Sequence, residues 1–306
     1  EDTLSLHDAL PIYPNPMVGS VIVYNDLIIG EGWHKKAGEP HAEVNAINSV
    51  KDKSLLNKAT IYVSLEPCSH FGRTPPCADA LIKAGVKRVV AAMKDPNPQV
   101  AGNGLARLVA AGIKTEHGLM EAQAQELNAG FISRMTKNKP FVRVKIAASL
   151  DGRTALANGE SKWITEEAAR QDVQHWRARS CAILTGIGTV LADDPQMNVR
   201  NIPKARQPLR VVVDSKLRIS PQAKILEGGN TLIAYVSDAE NKADALSKAG
   251  AALIKVESSD GKVCLKQLLR HLAERGINEV MVEAGQTLNG ALFALHLVDE
   301  FLFYYA

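Results

Sequence analysis

The feature that most restricts this chain is a set of metal-ligating residue types carried by two separate stretches, His41-Ala42-Glu43 and Pro67-Cys68 through Cys77. One neutral imidazole and two thiolates balance the charge of Zn2+ and leave its fourth tetrahedral position open. Glu43 stands two residues from the imidazole, where a carboxylate can take a proton from water at that position and return it to a leaving nitrogen. Helix geometry limits how these groups meet. Residues two apart lie roughly 200° apart around a helix, so His41 and Glu43 cannot share a mid-helix face. They reach one metal if a helix begins there, and Pro40 favours such a beginning. Cys77 likewise follows Pro75-Pro76 and opens the apolar-periodic run Ala80, Leu81, Ala84. The spacing predicts a metal held between two helix starts, whose positive dipole ends favour thiolate.

Zinc deaminases of nucleobases carry His-x-Glu followed by Pro-Cys-x-x-Cys. Eight residues separate the two cysteines here, so the pattern alone leaves other readings open. The rival readings are plain buried thiols and a closed structural site with His70 as fourth ligand; a catalytic zinc is preferred to both. A closed site gives Glu43 no task.

Further motifs narrow the choice. Pro14-Asn15-Pro16-Met17-Val18-Gly19, His41-Ala42-Glu43, the run from Glu66 to Cys77, and Asp95-Pro96-Asn97-Pro98 with Gly102 and Gly104 follow one another in order. Together they resemble the bifunctional riboflavin-biosynthesis deaminase/reductase family, whose own cysteine spacing is this long one. The resemblance runs from about residue 13 to the end of the chain. It implies an α/β protein with an N-terminal cytidine-deaminase-like zinc domain over residues 13–139. A dihydrofolate-reductase-like domain over 140–306 follows. In the first domain it implies Zn2+ on His41, Cys68 and Cys77, with Glu43 as the catalytic proton carrier and Asn15 holding the substrate ring. The implied reaction is hydrolytic deamination of a phosphoribosylamino-diaminopyrimidinone.

The second half shows Thr185-Gly186-Ile187-Gly188-Thr189 after a strand and before a polar turn, and Glu283-Ala284-Gly285-Gln286-Thr287 between a strand and a helix. Glycine at such points lets backbone N–H groups approach an anion, although a Gly-x-Gly turn is often only a tight turn. Lys145 through Arg153, Ser161-Lys162-Trp163-Ile164-Thr165 and Asp193-Asp194-Pro195 are similar to the family's reductase half. That similarity implies NADPH contacts at Ala147, Trp163, Thr189, Asp193, Ser215 and Gly285. It implies substrate contacts at Ser161, Arg177, Arg200 and Glu283, and reduction of a ribosyl side chain. Arginine suits a sugar phosphate because its planar fork donates two hydrogen bonds at once. On the residues alone, Arg177 and Arg200 read as solvated charges, Trp163 as a core aromatic and Lys145 as a strand-edge charge.

Strand patterns fall at 18–23, 60–65, 87–92, from 141, and near 181–185, 210–213, 231–236, 251–255 and 279–283. Helical patterns fall at 41–50, 77–84, 104–111, 120–137, 165–179, 240–248, 262–275 and 287–296. The alternation restarts after Asn138-Lys139-Pro140, which marks the expected domain boundary. Net charge is +3 and is spread over both halves, without the basic stripe of a polynucleotide-binding protein. The expected partners are a small phosphoribosylaminopyrimidine substrate and further copies of the chain, with neither nucleic acid nor membrane. No apolar run approaches the roughly 20 residues of a membrane span, and the first residues lack a signal-peptide pattern. Cys181 and Cys264 read as buried thiols, which fits the cytoplasm. Residues 1–12 match nothing in the family pattern, and the run Asp299 to Ala306 leads, by resemblance, into further reductase strands. Two rival classes are a nucleic-acid-editing deaminase with an accessory domain and a zinc-stabilised binding protein without catalysis.

Overall fold

The computed structural model describes residues 12–98, 100–155, 164–202 and 206–306. The chain divides into two compact units, 1–137 and 138–306. In the first, β1 (Gly19–Tyr24) and β2 (Leu27–Trp33) form a hairpin. Its turn residues Asn25 and Asp26 both have positive φ, 48° and 59°. Asparagine and aspartate tolerate that conformation, and the right-handed twist of paired strands favours such a turn. Strands β3 (Thr60–Val63), β4 (Arg88–Ala91) and β5 (Lys114–His117) complete a mixed sheet of order β2-β1-β3-β4-β5. Helices α1 (Ala42–Ser49), α2 (Cys77–Ala84) and α3 (Asn103–Ala110) begin close to the motif residues. Their apolar faces meet the sheet in one core that includes Ile22, Ala46, Ile61, Leu81, Val89 and Leu108.

The continuous helix expected over 120–137 is two helices, α4 (Glu121–Leu127) and α5 (Ala129–Lys137). The break falls at Asn128 (φ −113°, ψ 24°). Its buried carboxamide accepts from the Met17 N–H at 2.8 Å and donates to the Met17 carbonyl at 2.9 Å. That tertiary pair overrides the helical pattern.

The second unit is a seven-stranded sheet of order β10-β9-β8-β7-β13-β6-β14, parallel throughout. Its strands are β6 (Phe141–Ala148), β7 (Ala182–Gly186), β8 (Leu209–Val213), β9 (Thr231–Tyr235), β10 (Ala251–Lys255), β13 (Glu279–Val282) and β14 (Glu300–Tyr305). A separate small hairpin joins β11 (Ser258–Ser259) to β12 (Lys262–Val263). It occupies the start of the helix expected at 262–275, so α9 runs only from Leu265 to Glu274. Helices α6 (Glu167–Arg179), α8 (Ala243–Lys248) and α10 (Gln286–Ala294) fall where expected. The polar turn expected after Thr189 is instead a short helix, α7 (Ile187–Asp193). Ile187 and Val190 bury on its inner face against Leu217 and Ile233, and that burial outweighs the turn-like composition. Chain order reverses at β7, because β13 inserts between β7 and β6. The carboxyl ends of strands around such a reversal are where open parallel sheets bind ligands.

Candidate functional site

In the first unit, two glycines on β2 fix where α1 starts. A Cβ on Gly32 would lie 2.3 Å from the Ala46 nitrogen, and one on Gly30 would lie 2.5 Å from Val50 Cγ2. Only glycine lets α1 lie this close to the strand. His41 is the residue capping α1, in extended conformation, and Cys77 is the first residue of α2 after Pro76. His41 Nδ1 is 3.2 Å from Cys77 Sγ and 3.7 Å from Cys68 Sγ, and the Cys77 N–H donates to Cys68 Sγ at 3.3 Å. The three ligand atoms lie within 4.8 Å of one another. Among the described residues no fourth ligand joins this set, and His70 is exposed outside it.

Charge is crowded here. A hydrogen bond from the Cys77 thiol pulls the Cys68 thiol down to about 4, against its burial and with help from His41. The same bond, burial and the Glu43 charge push the Cys77 thiol well up. Glu43, 3% exposed, is raised chiefly by desolvation and further by Cys68. Three acidic groups thus compete to stay ionised in one buried spot, a conflict that a cation between them removes. Two sulfurs and an imidazole nitrogen fit zinc best.

The His34 ring meets the His41 ring edge-on at 4.8 Å. Burial lowers the His34 pKa, so the ring is neutral. Its Nδ1 lies 3.2 Å from the Pro40 carbonyl, which can only accept. Nδ1 therefore carries the proton, and Nε2 accepts from Asn15 Nδ2 at 2.9 Å. Asn15 spends an N–H on this anchor and keeps its oxygen for another partner.

Glu66 precedes the Pro67-Cys68 turn and is buried, 3% exposed. One carboxylate oxygen accepts from the N–H groups of Asp95 (3.1 Å) and Gly102 (2.9 Å). The other accepts from Gly104 (3.0 Å) and Leu105 (3.2 Å) at the start of α3. Contact is so close that a Cβ on Gly104 would lie 1.9 Å from the Pro67 carbonyl oxygen. The turn bearing Cys68 is thereby clamped onto a helix N-terminus, the favoured place for a carboxylate.

In the second unit, a cavity of about 1160 Å³ opens at the carboxyl ends of β7 and β8. Thr189, Asp193, Ser215 and Gly285 all lie on its wall. Gly186 and Gly285 cap α7 and α10 there. Lys216, Arg218, Lys262 and Lys266 add positive charge, with Asp193 and Asp260 opposing them. Cys264, expected to be buried, is half-buried on the same wall, whereas Cys181 is buried. Its place as the capping residue of α9 puts it at the cavity edge. Ala147 lies near the end of β6, opposite Tyr304 in register.

Arg177 and Glu283 are not surface charges. They form a bidentate pair, Nε to Oε1 at 2.6 Å and a terminal nitrogen to Oε2 at 2.8 Å, and both side chains are about 10% exposed. Burial raises the Glu283 carboxyl, yet Arg177, Lys145 and Arg200 together hold it below its ordinary value. Lys145 is half-buried on β6, which lies between β13 and β14, and desolvation lowers its amine, so it is not a strand-edge charge. Arg200 is exposed, its N–H donating to Gln174 Oε1 at 2.9 Å. Ser161, Trp163 and residues 1–11 lie outside the described residues.

Comparison with known proteins agrees with both halves. Residues 4–93 match the cytidine and deoxycytidylate deaminase zinc-binding region, and residues 140–306 match the RibD C-terminal domain. The riboflavin biosynthesis protein RibD of Escherichia coli is 48% identical over 96% of this chain and 82% of its own length. The chain belongs to the RibD family. A solved RibD of Acinetobacter baumannii superposes with a TM-score of 0.88 at 48% identity, covering 96% of this chain and 81% of the other. A deaminase/reductase of Thermotoga maritima superposes at 0.85 with 37% identity, covering 98% and 83%. The α/β architecture, a deaminase-like unit followed by a RibD reductase unit, is that of these relatives.

Sequence reasoning gave no role to Glu66, His34, Thr74 or Asn128. Glu66 carried the one usable signal: an acidic residue directly before Pro-Cys, with two helix-start glycines, Gly102 and Gly104, downstream. Among the described residues no helix is long and apolar enough to cross a membrane.

Proposed function

We propose that this RibD-family chain carries out two consecutive steps of riboflavin synthesis, dividing near residues 139 and 140. The observation that carries the first is a buried carboxylate, Glu43, beside a three-ligand metal set. In the first unit His41, Cys68 and Cys77 would hold Zn2+, which when bound supplies an electrophile that acidifies water. Glu43 takes the proton and delivers it to the amino group leaving the pyrimidine. Its burial suits this work, because desolvation lifts its proton affinity toward the range where it can both accept and donate. Asn15, anchored by His34, offers its free oxygen to the ring's N–H groups.

In the second unit the cavity at the strand reversal would hold NADPH, which supplies the reducing equivalents. Gly285 at the start of α10 suits a pyrophosphate. The cations on the wall favour the doubly charged phosphate that distinguishes NADPH from NADH. Beside the cavity, the locked Arg177–Glu283 pair and Lys145 orient the phosphoribosylamino substrate and keep the carboxylate ionised. Free thiols at the metal site and elsewhere support a reducing, cytoplasmic setting. Net charge spread over both halves supports a small substrate over a polynucleotide.

Incubating the zinc-loaded protein with the diaminopyrimidinone phosphoribosylamine, with and without NADPH, tests both steps. Ammonia release without NADPH, and NADPH oxidation only after deamination, are the expected results. Salt-sensitive nucleic-acid binding with no turnover of the small substrate would overturn this assignment.

A further inference from the structure

The His41 ring presents its two nitrogens to different neighbours. Nδ1 faces both sulfurs, at 3.2 Å from Cys77 and 3.7 Å from Cys68. Nε2 points the other way and lies 3.1 Å from Thr74 Oγ1. A neutral imidazole has one lone-pair nitrogen and one N–H, and only the lone pair can ligate a metal. If Nδ1 is the ligand, the proton must sit on Nε2, and that N–H needs an acceptor. The Thr74 hydroxyl is in place to be that acceptor.

We infer that Thr74 is a positioning residue for the metal site: it fixes the His41 tautomer and ring angle by accepting the Nε2 proton. This rests on the zinc reading of the site above, and no assigned residue performs the task. The loop is built for it. Thr74 is half-buried, its carbonyl accepts from the Gly72 N–H at 3.3 Å, and Pro75-Pro76 follow with their φ angles set by their rings. Pro76 caps α2, whose first residue is Cys77. One stiff four-residue stretch therefore delivers a thiolate to one side of the metal position and an acceptor to the far nitrogen of the histidine. The Cys77 ligand and the His41 orientation are coupled through it, although they start different helices. Partners of this kind behind metal-binding histidines commonly account for about 10–100-fold in metal affinity.

The test compares Thr74→Val, which keeps shape and loses the hydroxyl, with Thr74→Ser, which keeps the hydroxyl and loses the methyl. Zinc affinity is measured by competition with a chromophoric chelator, and the zinc-free melting temperature is recorded for each variant. Thr74→Val should bind zinc about 10-fold or more weakly with its zinc-free melting unchanged, and Thr74→Ser should stay within about 3-fold of the parent. Parent-like affinity in Thr74→Val would overturn the inference. So would equal losses in both variants, or a loss accompanied by a lower zinc-free melting temperature, since either assigns Thr74 to packing. Ammonia release is scored separately. A parent protein that binds zinc tightly but releases no ammonia refutes the deaminase assignment and leaves the Thr74 result standing.

Discussion

Replacing Glu66 by glutamine changes one oxygen to NH2 and is nearly isosteric, so its effect isolates the four-donor clamp. Glutamine keeps a single acceptor oxygen. It can serve either the Asp95 and Gly102 N–H groups or those of Gly104 and Leu105, which the two carboxylate oxygens now divide between them. The new NH2 then faces two N–H donors in a buried site, leaving them unpaired at about 1–3 kcal/mol each. The two bonds that survive lose their charge assistance, about half their strength. The combined loss is roughly 3–9 kcal/mol, a large share of the roughly 5–15 kcal/mol by which a domain is stable. Urea unfolding of the zinc-free protein, followed by far-ultraviolet circular dichroism, measures it. Two units should unfold separately, and the transition that NADPH moves identifies the second. Only the other transition should shift in Glu66→Gln. Zinc affinity should fall with it, because Cys68 sits two residues along the clamped turn. A loss below about 1 kcal/mol in that transition, scaled by its unfolding slope, would refute the clamp.

Three further outcomes are expected. Glu43→Gln should retain zinc and fold yet lose about 10²–10⁴-fold in deamination; near-parent ammonia release would remove Glu43 from the mechanism. Arg177→Met leaves the buried Glu283 without its bidentate partner, with only Lys145 and the exposed Arg200 to offset its charge, a loss of up to about 3–5 kcal/mol in the second unit, and NADPH oxidation should fail while ammonia release persists. Burial, with the neighbouring Glu66 and Cys68, raises the Asp95 carboxyl to about 6, above its unfolded value. The native state therefore holds that proton more tightly, so zinc-free stability should decline as pH rises from about 4 to 6 and level off beyond. Asp95→Asn, read by thermal melting across that range, should flatten the decline.

Much of the site was legible because its signals are local. His-x-Glu after proline, cysteine after two prolines, and alternating strand and helix periods each occupy a few adjacent residues. They fix helix starts and strand positions before any long-range contact is considered. What stayed hidden depends on pairs distant in sequence. Asn128 looked like an interior residue of one helix, because its partner, Met17, lies 111 positions away. Ile187 and Val190 looked like part of a turn until the sheet supplied a surface for them to bury against.

Arg177 shows the limit most sharply. Helix α6 reads Glu-Ala-Ala-Arg-Gln-Asp-Val-Gln-His-Trp-Arg-Ala-Arg, with too few apolar residues to mark an inward stripe, and such a helix is ordinarily assigned to solvent. Yet Arg177 is 9% exposed, because Glu283, 106 positions on, meets it at the end of β13. Periodicity rules score charge as surface, so a buried ion pair is invisible to them by construction. The desolvation of two such groups is costly and only good geometry offsets it. The bidentate bonds, the Asn198 carbonyl accepting from Arg177 at 2.9 Å and the nearby Lys145 amine supply that geometry. A fold gains little stability from such a cluster compared with apolar packing. The place of Glu283 just past the end of β13, two residues before Gly285 on the cavity wall, is where the substrate role proposed for it requires a charged pair.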